Sequence, residues 1–102
     1  MDMKQYSMKL VTIVTESILE HHLEDDLDKL GIHGYTIVDA RGKGSEGMRD
    51  DFWSNQGNIR IEIVCDEKTS DTVTEFLYKH YYSDYAMMLY VSDVSVLRGK
   101  KF

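Results

Sequence analysis

Hydrophobic and polar positions alternate along this chain in two different rhythms. "KLVTIVTE", Lys9 to Glu16, is dense in apolar and β-branched residues on both faces, the pattern of a central strand covered on either side. It ends at Thr15, Glu16 and Ser17, residues suited to starting a helix. Leu19, Leu23, Leu27 and Leu30 then recur at spacings of four, four and three, one stripe of a helix, while Glu20, Glu24, Asp25 and Asp28 lie mostly outside it. Gly31 fits the stop of that helix, and "GYTIVDA" from Gly34 reads as a second strand. "NIRIEIVCD" alternates cleanly, with Ile59, Ile61 and Ile63 on one side and Arg60 and Glu62 on the other, a half-exposed strand. Thr69 or Ser70 can cap a second helix whose buried face is Val73, Phe76, Leu77 and Tyr81. "AMMLYVSDV", from Ala86, reads as the last strand.

The order is β-α-β-β-α-β. The fold class it predicts is α+β: a ferredoxin-like sandwich, a four-stranded antiparallel sheet with two helices on one face. Its other face needs cover. Ile, Tyr and Met residues on that bare face would leave an apolar patch of a kind monomers avoid, so an oligomer is expected.

Size and charge narrow the functions. A chain of 102 residues is expected to be a single domain, residues 1–102, with one modest core. The net charge of -6 argues against nucleic acid as a partner. The single cysteine, Cys65, allows no internal disulfide and reads as a small buried hydrophobe at a strand end; a reducing cytoplasm is the simplest compartment. No apolar run reaches the ~18 residues of a spanning helix, and the first residues lack the apolar stretch of a signal peptide, so no direct membrane insertion is expected. His21 and His22 point about 100° apart on a helix and cannot readily chelate one metal together. His33 and His80 lack ligand partners at metal spacing, so they read as surface residues and no metal site is expected. The acidic run from Glu20 to Asp28 reads as the wet face of the first helix. Tyr78, Tyr81, Tyr82 and Tyr85 read as packing under the sheet edge.

The candidate chemistry lies in "GYTIVDARGKGSEGMRDDFW", Gly34 to Trp53. Seventeen residues, Arg41 to Gly57, separate the second and third strands, far more than the ~2 to 5 of a tight hairpin. Gly42 and Gly44 flank Lys43 and are followed by Ser45; such glycines let successive N–H groups converge on an anion, and Lys43 and Arg49 add charge. "GKGS" lacks the spacing of a Walker loop. Spacing alone leaves open an anion site or a plain glycine-rich hairpin.

"KLVTIVTE", "GYTIVDARGKGSEGMR", "GNIRIEIVCDE" and "YYSDYAMMLYVSDVSVLRG" together resemble the PII-like signalling proteins, from about Lys9 to Phe102, most closely the branch associated with bicarbonate transporters and carboxysomes. The long loop is then similar to that family's T-loop, which reports ligand state to a partner. The resemblance implies a homotrimer binding adenine nucleotide (ADP, AMP, ATP or cAMP) as an effector in clefts between subunits, with no tightly bound cofactor; some members of the branch bind bicarbonate together with a nucleotide. Gly42, Lys43, Gly44, Ser45 and Arg49 match the phosphate-holding base of the T-loop. Thr15 and Glu16 match positions beside the ribose and base. Ala86, Met87 and Met88 match strand backbone that reads adenine from the adjacent subunit, and Arg98 and Gly99 fall near the same cleft. Asp50, Asp51, Phe52 and Trp53 are the T-loop residues that a partner would meet. Phe52 and Trp53 are either anchors for that partner or fold back on their own trimer. Asp50 and Asp51 are solvated charges or position a cation or bicarbonate.

Two departures bear on the pocket: Glu46 stands where relatives can carry arginine, and Met87 replaces a glycine. The chain also ends at "LRGKKF" without the cysteine-bearing extension of some transporter-associated members, so redox control is not implied. The implied function is a non-catalytic, cytoplasmic sensor, peripheral at the membrane through a bicarbonate or other transporter. The alternative is a small phosphohydrolase on the same topology, although no paired base and nucleophile stand at a plausible spacing. A trimeric metal-tolerance protein is disfavoured because Cys65 and the histidines form no ligand set.

Overall fold

A computed structural model describes residues 3–42 and 57–98. The elements are β1 (Tyr6–Glu16), a short 3-10 turn (Ser17–Leu19), α1 (Glu20–Lys29), β2 (Thr36–Ala40), β3 (Asn58–Cys65), α2 (Glu67–His80) and β4 (Met88–Val96). This is the predicted βαββαβ order. The sheet runs β2-β3-β1-β4, antiparallel throughout, with β1 in the interior as its two-sided apolar pattern required.

Register separates two faces. Ile13 pairs with Ile61 and Leu89, and Val11 with Ile63 and Val91, so these side chains share a face. Apart from Val91, which is exposed on the edge strand β4, that face packs into one core with Leu19, Leu23 and Leu27 of the first helical stretch and Val73, Leu77 and Tyr81 of the second. Leu30 and Phe76, expected in the buried stripes, are only partly buried against that core. Each fully buried Leu or Ile contributes roughly 1.5–3 kcal/mol.

The opposite face carries Val14 between Arg60 and Met88, and Thr12 between Glu62 and Tyr90. Met88 and Tyr90 are nearly half exposed there, and Val38 is exposed beside Arg60. The bare patch is therefore built from Met, Tyr and Val. The isoleucines expected on it belong to the helix-covered face, because register places Ile59, Ile61 and Ile63 under α1 and α2.

Helix ends follow local chemistry. Gly31 sits at φ +85 after α1, where the Gly31 and Ile32 amides donate to the Asp28 and Leu27 carbonyls at 3.0 and 2.8 Å, closing the last turn. The cap of α2 is Asp66, whose carboxylate accepts the Thr69 amide at 2.8 Å. Thr69 and Ser70, expected as caps, lie inside the helix: an Asp three residues ahead competes better for the free amides of the first turn. β2 and β4 each begin two residues later than the pattern predicts, at Thr36 and Met88. Met87 drops its side chain into the core, 3% exposed, before the strand begins. No helix among the described residues is long and apolar enough to cross a membrane.

Candidate functional site

β1 outlasts its pairing with β4. The ladder ends at Val14–Met88, and the next positions on each strand are joined by side chains instead. The Thr15 hydroxyl donates to the Ala86 carbonyl at 3.2 Å, and the Ala86 amide donates to a Glu16 carboxylate oxygen at 3.1 Å. Both polar groups of Ala86 are thereby held by the C-terminal end of β1. Thr15 is fully buried and Glu16 is 6% exposed, so each bond forms where water competes little.

The two ends of the long loop meet at the same corner. β2 leaves the sheet at Ala40, opposite Asn58, and Asn58 is itself opposite Glu16. The Ser17 amide donates to the Gly57 carbonyl at 3.1 Å. Gly57 takes φ +77, and a Cβ there would stand 3.3 Å from the Ser17 hydroxyl oxygen, so glycine serves both the backbone angle and the close approach. Asn58 is buried at this junction. Neither Gly57 nor Asn58 stands out as a site residue in the sequence pattern. A Gly-Asn pair entering an alternating strand is the signal that marks them.

Thr15, Glu16 and Ala86 are thus brought together, with Met87 and Met88 continuing into β4. Gly42 lies two residues past the end of β2, and Arg98 is exposed two residues past the end of β4. Lys43, Gly44, Ser45, Arg49, Asp50, Asp51, Phe52, Trp53 and Gly99 lie outside the described residues, as does Glu46.

Other candidates resolve simply. Cys65 is buried at the end of β3, and burial pushes its thiol above the ordinary value. Among the described residues no group of three or more His, Cys, Asp or Glu side chains is arranged to hold a metal. His21 and His33 are exposed beside Glu24 and Asp28 at 3.3 and 3.8 Å. Of the four tyrosines expected to pack under the sheet edge, only Tyr81 is buried. Burial and a hydrogen bond to the Asp26 carboxylate hold the Tyr81 phenol far above its usual range, so it acts as a neutral donor. Tyr78 is exposed on the outer side of α2, and Tyr82 and Tyr85 are exposed in the turn that follows the helix end at His80.

Known proteins share this architecture. A PII-like signalling protein from Thermus thermophilus superposes with a TM-score of 0.81 at 42% identity, covering 98% of this chain and 99% of that one. CPII from Thiomonas intermedia, whose structure is bound to ADP and bicarbonate, superposes with a TM-score of 0.79 at 28% identity over 95% of both chains. Nitrogen regulatory protein P-II 1 of Methanothermobacter thermautotrophicus is 30% identical over 78 residues, 66% of this chain and 67% of its own. The model of the family of nitrogen regulatory protein P-II matches residues 8–101. With the βαββαβ order, the β2-β3-β1-β4 sheet and the loop between β2 and β3 in common, this chain belongs to the P-II family of signalling proteins.

Proposed function

We propose that the chain is a non-catalytic sensor that binds an adenine nucleotide, ADP or AMP foremost and ATP or cAMP as competitors, at clefts between the subunits of a homotrimer. The nucleotide orders or releases the loop between β2 and β3, which regulates a bicarbonate transporter or a related partner in inorganic-carbon metabolism. Bicarbonate binds together with the nucleotide. The assembly is cytoplasmic and reaches the membrane only through that partner.

One observation carries this reading: Thr15 and Glu16 clamp Ala86 at the corner where the loop leaves and rejoins the sheet. A ligand that touches this corner is coupled to the loop through a few bonds. In this reading Thr15 and Glu16 stand beside the ribose and base, and the segment Ala86, Met87 and Met88, which leads into β4, reads the adenine from the adjacent subunit. Gly42, Lys43, Gly44, Ser45 and Arg49 grip the phosphates, Arg98 and Gly99 close the cleft, and Asp50 to Trp53 meet the partner. The ligand class is supported by CPII, whose structures are bound to ADP, AMP and bicarbonate. The oligomer is supported by the bare sheet face with Met88 and Tyr90.

A nucleotide shifts the loop only as far as it prefers one loop state over another. Titration calorimetry with AMP, ADP, ATP and cAMP, each with and without bicarbonate, tests the reading. Micromolar binding of at least one nucleotide without phosphate release is expected. Failure of all four at millimolar concentration refutes a nucleotide sensor, and steady phosphate release would establish the enzyme instead.

A further inference from the structure

α2 buries Val73 and Leu77 and turns a second stripe away from the core. Asp71, Thr74, Glu75 and Tyr78 recur at helical spacing along it, and Tyr82 follows in the turn just past its end. With Leu89 of β4 these side chains line a groove of 730 Å³. A smaller groove of 390 Å³ continues past Tyr78 and Tyr82 to Lys79 and Ser83.

The aromatic walls are set in place. Tyr78 is 67% exposed and its ring lies 5.5 Å from that of Tyr82. The Tyr82 hydroxyl accepts the Leu89 amide at 3.1 Å, which ties the ring to the first turn of β4. The charge of the larger groove has one sign: Asp71 and Glu75 are its ionisable carboxylates, and no lysine or arginine lines it. Glu75 meets Lys79 at 2.9 Å, but both are about two-thirds exposed, and such a pair contributes little and exchanges partners readily. Among the described residues no cation stands within ion-pair distance of Asp71.

A flat cation fits this chemistry better than an anion or a neutral apolar group. Tyrosine faces attract a guanidinium, the two carboxylates can accept its N–H groups, and the chain's net charge of -6 draws basic partners. Exposed tyrosines fixed before binding are also typical anchors of protein interfaces. We propose that the α2–β4 groove is a docking surface for an arginine-bearing segment of a partner protein, with one guanidinium seated against Tyr78 and Tyr82 and bonded to Asp71 and Glu75. Lysine, a compact point charge without a planar face, binds there more weakly. The groove shares no residue with the Thr15, Glu16 and Ala86 corner.

The test uses the full isotope-labelled chain in solution, titrated with the capped peptide Gly-Arg-Gly-Arg-Gly and its lysine and glutamate counterparts. Amide shifts should concentrate in residues 71–83 and at Leu89, with arginine binding about tenfold tighter than lysine and glutamate giving no response. A doubled variant, D71N with E75Q, and separately Y78A should each weaken the arginine peptide about tenfold, while leaving ADP calorimetry unchanged. Shifts centred elsewhere, equal response to the glutamate peptide, no response at millimolar peptide, or unaltered affinity in those variants would overturn the proposal. Loss of ADP binding in the parent chain with peptide docking intact would instead refute only the nucleotide reading.

Discussion

The Thr15 hydroxyl and the Ala86 carbonyl, 71 residues apart in sequence, are joined at 3.2 Å at the point where the β1–β4 ladder stops. This bond replaces a backbone pair with a side chain that cannot rotate elsewhere, because Thr15 is fully buried. Thr15→Val keeps the shape and removes the donor. The Ala86 carbonyl loses this partner, and the change should destabilise the fold by about 1–2 kcal/mol. Urea unfolding at a fixed protomer concentration measures it. A midpoint indistinguishable from the parent would mean that the bond contributes nothing and that the corner is held by β1 packing alone.

Glu16 holds the other polar group of Ala86, and here the charge of the acceptor matters. Hydrogen bonds to ionised groups contribute roughly 1.5–3 kcal/mol, about twice the neutral kind. Glu16→Gln retains an acceptor of the same length and should cost less than Glu16→Ala, which leaves the partly buried Ala86 amide without its 3.1 Å partner. The order of unfolding midpoints, parent above Gln above Ala, is the expected outcome. If ADP binds at this corner, both variants should also weaken it, with Ala again the more affected.

How much of this is legible in the sequence depends on the range of the interaction. Leu19, Leu23 and Leu27 mark their helix because a buried stripe must repeat every turn, and β1 reads as interior because both its faces are apolar. Local competition is harder to read. Asp66, Thr69 and Ser70 are all good caps, and only the structure shows which one meets the first free amide. The start of β4 is hidden for a different reason. "AMML" is uniformly apolar, so nothing in the pattern reveals that Met87 fills the core from a turn while Ala86 is clamped by side chains. Tyrosine at helical spacing fits a core as well as a surface, so the pattern does not separate Tyr81 from Tyr78 and Tyr82; Tyr78 lies on the side of α2 away from Val73 and Leu77, and Tyr82 falls in the turn after the helix end at His80. The corner of Thr15, Glu16, Gly57 and Ala86 rests on contacts between distant segments. Of these, Thr15, Glu16 and Ala86 are visible in the sequence only through family resemblance.

The Asp66 cap adds an acid-sensitive contribution. Hydrogen bonds from Thr69 hold its carboxyl below the ordinary value of 3.8. A depressed folded-state pKa means that the contribution is fully present above the unfolded value and is lost as pH falls through the folded one. Acid unfolding should therefore lose part of its stability below about the ordinary value itself. Asp66→Asn keeps a capping oxygen but cannot titrate, so its stability should fall less steeply over that interval. Asp66→Ala should lower the melting temperature at every pH, with α2 fraying first at Glu67 and Lys68 in amide exchange.

The bare sheet face gives a prediction about assembly. Met88 and Tyr90 are 46% and 48% exposed on β4, opposite Val14 and Thr12. If the proposed trimer forms through this face, Tyr90→Asp places a charge in an apolar contact and should convert it to monomers at micromolar protomer. Light scattering after size exclusion reads the change directly. The same substitution on a monomeric protein would leave the mass unaltered, and an unchanged trimer would show that another surface holds the assembly.

Gly57 and Gly31 separate two uses of the same residue. Both take positive φ, +77 and +85, yet a Cβ at Gly31 meets nothing within 4 Å, whereas one at Gly57 approaches the Ser17 oxygen at 3.3 Å. Asparagine tolerates the left-handed region better than other side chains, so Gly31→Asn should cost well under ~1 kcal/mol at this helix end. At Gly57 the same change adds crowding to the angle and pushes against the Ser17 hydroxyl, on the residue whose amide donates to the Gly57 carbonyl at 3.1 Å. Gly57→Asn should therefore cost about 1–2 kcal/mol, and because Gly57 returns the long loop to β3 beside Glu16, it should weaken nucleotide binding as well. Equal unfolding midpoints for the two variants would show that backbone angle alone sets the requirement and that the Ser17 contact yields freely.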